Sequence, residues 1–374
     1  MRLSLLRLLP VLFLLSACAS GPSKVVAPEP AALPAGNVAI PGEATGTLGG
    51  AAFRFEVPAD WNGELVMYLH GYEARGMPRE VPLLQDDFDR AMLAQGFAVA
   101  RSAYRTQGWA VAEALEDNER LRQHMLRQLP DVKRTWLVGH SMGGHLVLAT
   151  LERHGEAYAG GLSLCGANAP AVELMRDGML GPLVVAEALL PGLFGEFAGG
   201  LADPEAPPGV DGAAIETLML RKPEVAEQLS KAFDIRKDDL GFALFFRYLI
   251  LRELIDRAGG FPLDNREVRY GEFVDVPDID ARVRRYSADP VAASYVQQHF
   301  DLRGRPDAPV MILSNEYDPT VPAQYSGRYA ELAKDAGGSR RVRTLPPQGE
   351  GHCAFDSTAV DTALTALREW VGGR

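Results

Sequence analysis

Short apolar runs alternate along this chain with longer stretches in which apolar residues recur at helical spacing. The strand-like segments are residues 50–57, 65–69, 97–100, 135–138, 161–165, 310–313 and 341–345, of which 97–100 and 310–313 are unbroken apolar runs. Between them the spacing predicts helices over 109–129, 144–153 and 357–371. In the first of these, Val111, Leu115, Leu121, Met125 and Leu129 form an approximate core stripe. Glu113, Glu116 and Asp117 sit in its first half and Arg122, His124 and Arg127 in its second, as the helix dipole favours. Strands with no polar face, separated by helices, imply a mostly parallel sheet covered on both faces. From Ala169 to about Asp307 the strand pattern stops. Helical runs take over at 213–233, broken near Pro223, and at 239–258, where Phe242, Phe245, Phe246 and Leu249 share one face. The expected organisation is a core of 43–168 and 308–374 with a helical cap, 169–307, inserted after the strand ending at Cys165. Packing between cap and core accounts for most of those aromatics.

The N-terminus follows different rules. Arg2 and Arg7 precede the apolar stretch 8–15, which is too short to span a bilayer permanently and reads, with residues to 17, as a cleaved signal. Leu15-Ser16-Ala17-Cys18 resembles the bacterial lipobox, whose cysteine is lipidated and becomes the first residue; a plain signal peptide is the alternative. Several acyl chains on Cys18 would anchor the protein stably. Residue 19 is Ala and not the Asp that this resemblance associates with inner-membrane retention, so the expected location is the outer membrane facing the periplasm, with surface exposure second. Residues 18–42, rich in Pro and Ala, cannot bury a core and read as a tether. The formal charge of -11 argues against nucleic acid as a partner.

The candidate chemistry lies at the ends of the predicted strands. Gly139-His140-Ser141-Met142-Gly143 is G-x-S-x-G between a strand and a helix, where glycines let the chain turn sharply and thrust the serine clear of the sheet. A serine hydroxyl needs a base and a carboxylate that orients the base. Asp318 follows the strand 310–313 in an Asp-Pro-x-Val-Pro setting, and is favoured over Glu316 two residues earlier. His352, flanked by Gly351 in a late loop, is the base. His140 and His145 read as packing residues, and His124, His154 and His299 as helix-surface residues. His70-Gly71-Tyr72 follows the strand 65–69, so the backbone N–H groups of Tyr72 and Met142 are the expected oxyanion donors. Tyr104 and Trp109, with Tyr72, are candidate pocket-lining residues.

In this order, H-G-x, G-x-S-x-G, D-x-x-V-P and G-H make the chain resemble the α/β-hydrolase superfamily from about Gly46 to Gly373. The resemblance implies an α/β-hydrolase fold and a Ser141-Asp318-His352 triad, and in related hydrolases caps in this position roof the substrate pocket. It does not choose among esterases, lipases, thioesterases and peptidases. The expected activity is cleavage of a carboxylic ester in a small or lipid-like substrate. A serine exopeptidase or amidase is the alternative, with Glu253 and Asp256 as an amine-binding pair, although Arg252 and Arg257 beside them favour a solvated mixed-charge surface. A non-catalytic envelope scaffold is the third class. No cofactor and no metal is expected: there is no H-E-x-x-H, P-loop or dinucleotide glycine fingerprint. Of the three cysteines, Cys165 and Cys353 remain after Cys18, either as a disulfide or as a buried core residue and a wall of the His352 loop.

Overall fold

The structure, a computed structural model, describes residues 41–373. The signal segment 1–17, Cys18 and nearly all of the tether lie outside the described residues. Among the described residues eight strands form one sheet: β1 (Gly42–Leu48), β2 (Ala51–Val57), β3 (Glu64–Leu69), β4 (Ala98–Ser102), β5 (Arg134–His140), β6 (Gly160–Leu164), β7 (Val310–Leu313) and β8 (Val342–Thr344). Their order across the sheet is β1-β2-β4-β3-β5-β6-β7-β8. β2 runs antiparallel to both β1 and β4, and every pair from β4 to β8 is parallel. The sequence pattern did not predict β1. Its segment Gly-Glu-Ala-Thr-Gly-Thr-Leu has one large apolar residue and is only half-buried at the sheet edge, so alternation is too weak to read. Gly49 and Gly50, both at positive φ, turn it into β2.

The core helices before the insertion are α1 (Asp87–Ala94), α2 (Val111–Gln128) and α3 (Met142–His154), and two more follow it. Two adjacent glycines in β6 show how closely helices press on the sheet. A Cβ on Gly161 would stand 2.6 Å from Val147 of α3, and one on Gly160 would stand 3.3 Å from Leu367. Successive strand residues face opposite sides, so α3 covers one face and the C-terminal helix the other. The second face packs Val66, Val99, Trp136, Val138, Leu162, Leu164, Met311 and Leu313 against Met92, Ala363, Leu364 and Leu367, all buried. Removing one such side chain, as in Leu367→Ala, costs about 2–5 kcal/mol. His124 is not on a helix surface as expected: it is buried against Phe53, with ring centroids 5.2 Å apart.

Between β6 and β7 the described residues hold helices and no strand. A π-helical turn over Glu173–Leu180 runs into α4 (Gly181–Leu189), followed by α5 (Gly212–Arg221), α6 (Pro223–Phe233), α7 (Leu240–Ala258), α8 (Ile279–Arg282) and α9 (Pro290–Phe300). Pro223 opens α6 at its first position, where its missing N–H costs nothing. α7 corrects an expectation. Its buried side is Leu240, Ala243, Leu244, Arg247, Tyr248, Leu251 and Leu254, while Phe242 is 53 % exposed and Phe245, Phe246 and Leu249 are half-buried. A helix apolar on nearly every side gives no stripe to orient it from sequence. After β7 come α10 (Ala323–Ala336), β8 and α11 (Ser357–Gly372). No helix among the described residues is long and apolar enough to cross a membrane.

Candidate active site

β5 ends in a turn that only small residues permit. Ser141 has φ 58 and ψ -120, outside both the helical and the extended regions, and its N–H donates to the Leu164 carbonyl at 3.0 Å. A Cβ on Gly139 would overlap the Gly143 carbonyl, and one on Gly143 would overlap the carbonyl of Leu69. The serine is therefore placed by backbone contacts within the sheet, at the start of α3.

The structure brings Ser141, His352 and Asp318 together. His352 Nε2 lies 2.8 Å from Ser141 Oγ, and its Nδ1 lies 2.8 Å from Asp318 Oδ2. An ionised carboxylate only accepts, so Nδ1 carries the proton and Nε2 presents its lone pair to the hydroxyl. Asp318 is 3 % exposed, and its Oδ1 accepts the N–H groups of Thr320 and Val321 at 2.8 and 2.9 Å. Glu316 is exposed and its N–H, not its carboxylate, faces the base loop, donating to Gly349 at 2.9 Å. This geometry lets the imidazole take a proton from Ser141 while Asp318 holds the ring and balances its charge.

The acid and base loops are laced together around Asn315, which the sequence reading did not single out. Buried Asn315 accepts the Cys353 N–H at 3.1 Å and donates to the Gln348 carbonyl at 2.9 Å. Gly351 N–H donates to the Tyr317 carbonyl at 2.8 Å. Cys353 is also disulfide-bonded to Cys165, with Cα atoms 5.3 Å apart, which settles the two readings of that pair in favour of the bond. An asparagine after a strand carries no local sign of such a role.

On the other side of Ser141 runs the His70-Gly71-Tyr72 turn. A Cβ on Gly71 would sit 3.2 Å from Ser141 Cβ and 3.8 Å from its Oγ, so the turn lies directly against the serine. His70 donates from Nδ1 to the Gly71 carbonyl at 2.8 Å, and burial drives its pKa down to about 4. Tyr104 stacks on the His70 ring at 3.9 Å and donates to the His70 carbonyl at 3.1 Å. At 1 % exposed, Tyr104 supports the turn and offers no wall to a ligand, contrary to expectation. Trp109, 4 % exposed, packs against His145 and Phe300 and is likewise no open wall. Residues distant in sequence pack on both rings, His70 on Tyr104 and Phe300 on Trp109, which nearness to a strand end does not reveal. Met142 is the first residue of α3, and its N–H is among the unpaired donors of that helix terminus. Among the described residues no acceptor takes the Tyr72 N–H.

The insertion is tied to these loops at several points. The Tyr317 hydroxyl donates to Asp239 at 2.6 Å, Arg236 pairs with Glu350 at 2.8 Å, and buried Arg247 donates to the Pro319 carbonyl at 3.3 Å. Tyr72 donates its hydroxyl to Glu253 at 2.7 Å; burial, then that bond, raise its pKa and keep it a donor. Glu253 is 4 % exposed, so the expected solvated surface is wrong for it. Asp256 is exposed and pairs with Arg75 at 3.2 Å. A cavity of about 600 Å³ opens beside the turn, with Gly71, Tyr72, Leu83, Leu84 and Arg101 in its wall. Among the described residues no group of His, Cys, Asp and Glu is arranged to hold a metal ion.

No protein-family model and no curated protein matches the chain. Among solved structures it is similar to the Pyrococcus furiosus esterase Pf2001, at 11 % identity over 88 % of this chain and 89 % of that one, TM-score 0.44. A Bacillus coagulans carboxyl esterase shares 13 % identity over 88 % and 96 %, TM-score 0.43. A bacterial membrane phospholipase A shares 16 % over 89 % and 87 %, TM-score 0.43. These distant likenesses, all below 0.5 in TM-score, carry no weight beside the strand order itself.

Proposed function

We propose that this chain, an α/β-hydrolase by its strand order, is a serine hydrolase that cleaves a carboxylic ester through an acyl-enzyme intermediate. The observation that supports this reading best is the hydrogen-bonded line Ser141, His352, Asp318, with both links at 2.8 Å and the serine on a strained turn. Ser141 Oγ attacks the ester carbonyl as His352 Nε2 takes its proton. The Tyr72 and Met142 N–H groups hold the developing oxyanion. His352 then hands the proton to the departing alcohol, leaving the acyl group on Ser141. Water, deprotonated by the same nitrogen, releases the acid and restores the serine. The amine-binding alternative is weakened because both Glu253 oxygens already accept hydrogen bonds and Asp256 is paired with Arg75.

Lipidation of Cys18 would hold the enzyme in the cell envelope, at the outer membrane facing the periplasm, where ester-bearing lipid-like substrates are at hand. One experiment tests the chemistry: a fluorophosphonate probe should add to Ser141, and p-nitrophenyl esters should be turned over far faster than aminoacyl p-nitroanilides. The opposite preference would make it an amidase, and an unlabelled Ser141 would remove it from the serine hydrolases. A mature N-terminus at any residue other than Cys18 in mass spectrometry would remove the anchor.

A further inference from the structure

α7 meets the oxyanion turn at Glu253. This carboxylate is 4 % exposed, and it is bound by neutral donors: the Tyr72 hydroxyl on Oε1 at 2.7 Å and the Trp109 N–H on Oε2 at 3.1 Å. The arginines nearby are engaged elsewhere, Arg75 with Asp256 and Arg257 with Glu113. Gly108 lets the backbone close on it, since φ there is +87 and a Cβ would stand 2.5 Å from Oε2. Burying a carboxylate against neutral groups costs free energy that an apolar residue of the same size would not. What the carboxylate adds is direction: two fixed hydrogen bonds, one to the turn after β3 and one to the loop after β4, from residues 181 and 144 positions away. We propose that Glu253 is a positioning residue, which through the Tyr72 hydroxyl holds the turn so that the Tyr72 N–H faces the oxyanion. The inference rests on the ester-hydrolase reading above, and it makes part of the insertion a support for catalysis, separate from any roof over the substrate.

Tyr72→Phe tests this, because it removes one hydroxyl and leaves the ring with its edge-on contact to Phe246, at 5.3 Å between centroids. In the full-length protein, kcat per fluorophosphonate-reactive site should fall about tenfold to a hundredfold with KM nearly unchanged, the scale set by a misplaced oxyanion donor. Binding of a trifluoromethyl ketone, whose adduct carries the oxyanion, should weaken by the same factor. Glu253→Ala should match Tyr72→Phe, and the double variant should be no worse than either alone. Glu253→Gln, which keeps one acceptor for Tyr72, should recover part of the loss. Asp256→Asn, on the exposed rim of α7, should leave kcat unchanged. If Tyr72→Phe labels fully with kcat and inhibitor affinity intact, the positioning role is overturned, even if its melting temperature drops. If wild-type Ser141 fails to label, the hydrolase reading itself has failed.

Discussion

The two sides of Ser141 are held in place by different means. On one side the nucleophile turn is fixed by backbone against backbone, with Gly139 and Gly143 packed so closely on each other and on Leu69 that no other residue fits. On the other side the oxyanion turn is fixed by side chains from distant places: Tyr104 stacked on His70, and Glu253 bonded to Tyr72. The first arrangement needs only the sheet. The second needs the insertion to be seated, so the serine turn can stand ready while the oxyanion donor depends on α7. A substitution in the insertion can therefore lower catalysis without touching the triad, and one in the turn of β5 cannot spare it.

The largest test of that comparison acts on the triad. Ser141→Ala and His352→Ala should each lower kcat about 10⁴-fold or more with the melting temperature little changed. Asp318→Asn should cost a similar factor, because an amide that donates to Nδ1 would put the proton on Nε2, the nitrogen that must accept. Steady-state assays on purified variants check this. Activity that survives Asp318→Asn but not Glu316→Gln would move the acid two residues back and undo the geometry described here.

How much of this was legible beforehand follows the same division. Ser141, Asp318 and His352 each sit within a few residues of a strand end, and strands with unbroken apolar runs announce themselves; β7 falls on residues 310–313 as predicted. Fold class and the three polar residues were therefore readable, since every signal was local. Glu253 was not, because whether a carboxylate on a helix is solvated depends on what lies 181 residues away. The pattern around α7 even pointed the wrong way, to Phe242 and its neighbours, since the helix is apolar on almost all sides. Asn315 escaped for the same reason, and the Cys165–Cys353 bond could be offered only as one of two readings, since the partners of both are set by the sheet order.

A smaller effect probes the base loop, which shares features of both sides. The disulfide closes a loop of 188 residues that takes in the entire insertion, and on the chain-entropy account this is worth at most about 5 kcal/mol. Thiol titration of the unfolded, unreduced protein should find neither Cys165 nor Cys353 free. Reduction should lower kcat before the core unfolds, because the base loop then loses its covalent tie to the end of β6. Finding both thiols free would sink this, and so would an unchanged kcat after verified reduction.

The smallest expected effect places one histidine from each side in opposition. His70 in the oxyanion turn is half-buried and His145 in α3 is buried; each donates from Nδ1 to a carbonyl at 2.8 Å, and desolvation drives the pKa of each to about 4. Their unfolded values lie near 6.5, so between pH 6.5 and 4 the unfolded chain binds protons that the folded one refuses. Stability is then full above pH 6.5 and falls as the pH drops toward 4, by at most about 3 kcal/mol for each histidine. Urea midpoints across this window should show the decline, and His145→Gln should flatten it by about one histidine's share. The two sides should differ in activity. Protonating His70 forces a charge into the stack with Tyr104 and loosens the oxyanion turn, so kcat, which falls in any case as the base His352 takes a proton, should fall more steeply in the wild type than in His70→Gln. His145→Gln should leave that fall in place, because it acts on α3 and not on the turn. A wild-type kcat profile no steeper than that of His70→Gln, each corrected for the folded fraction, would show that the turn is as firmly held as the nucleophile, and the contrast between the two sides would disappear.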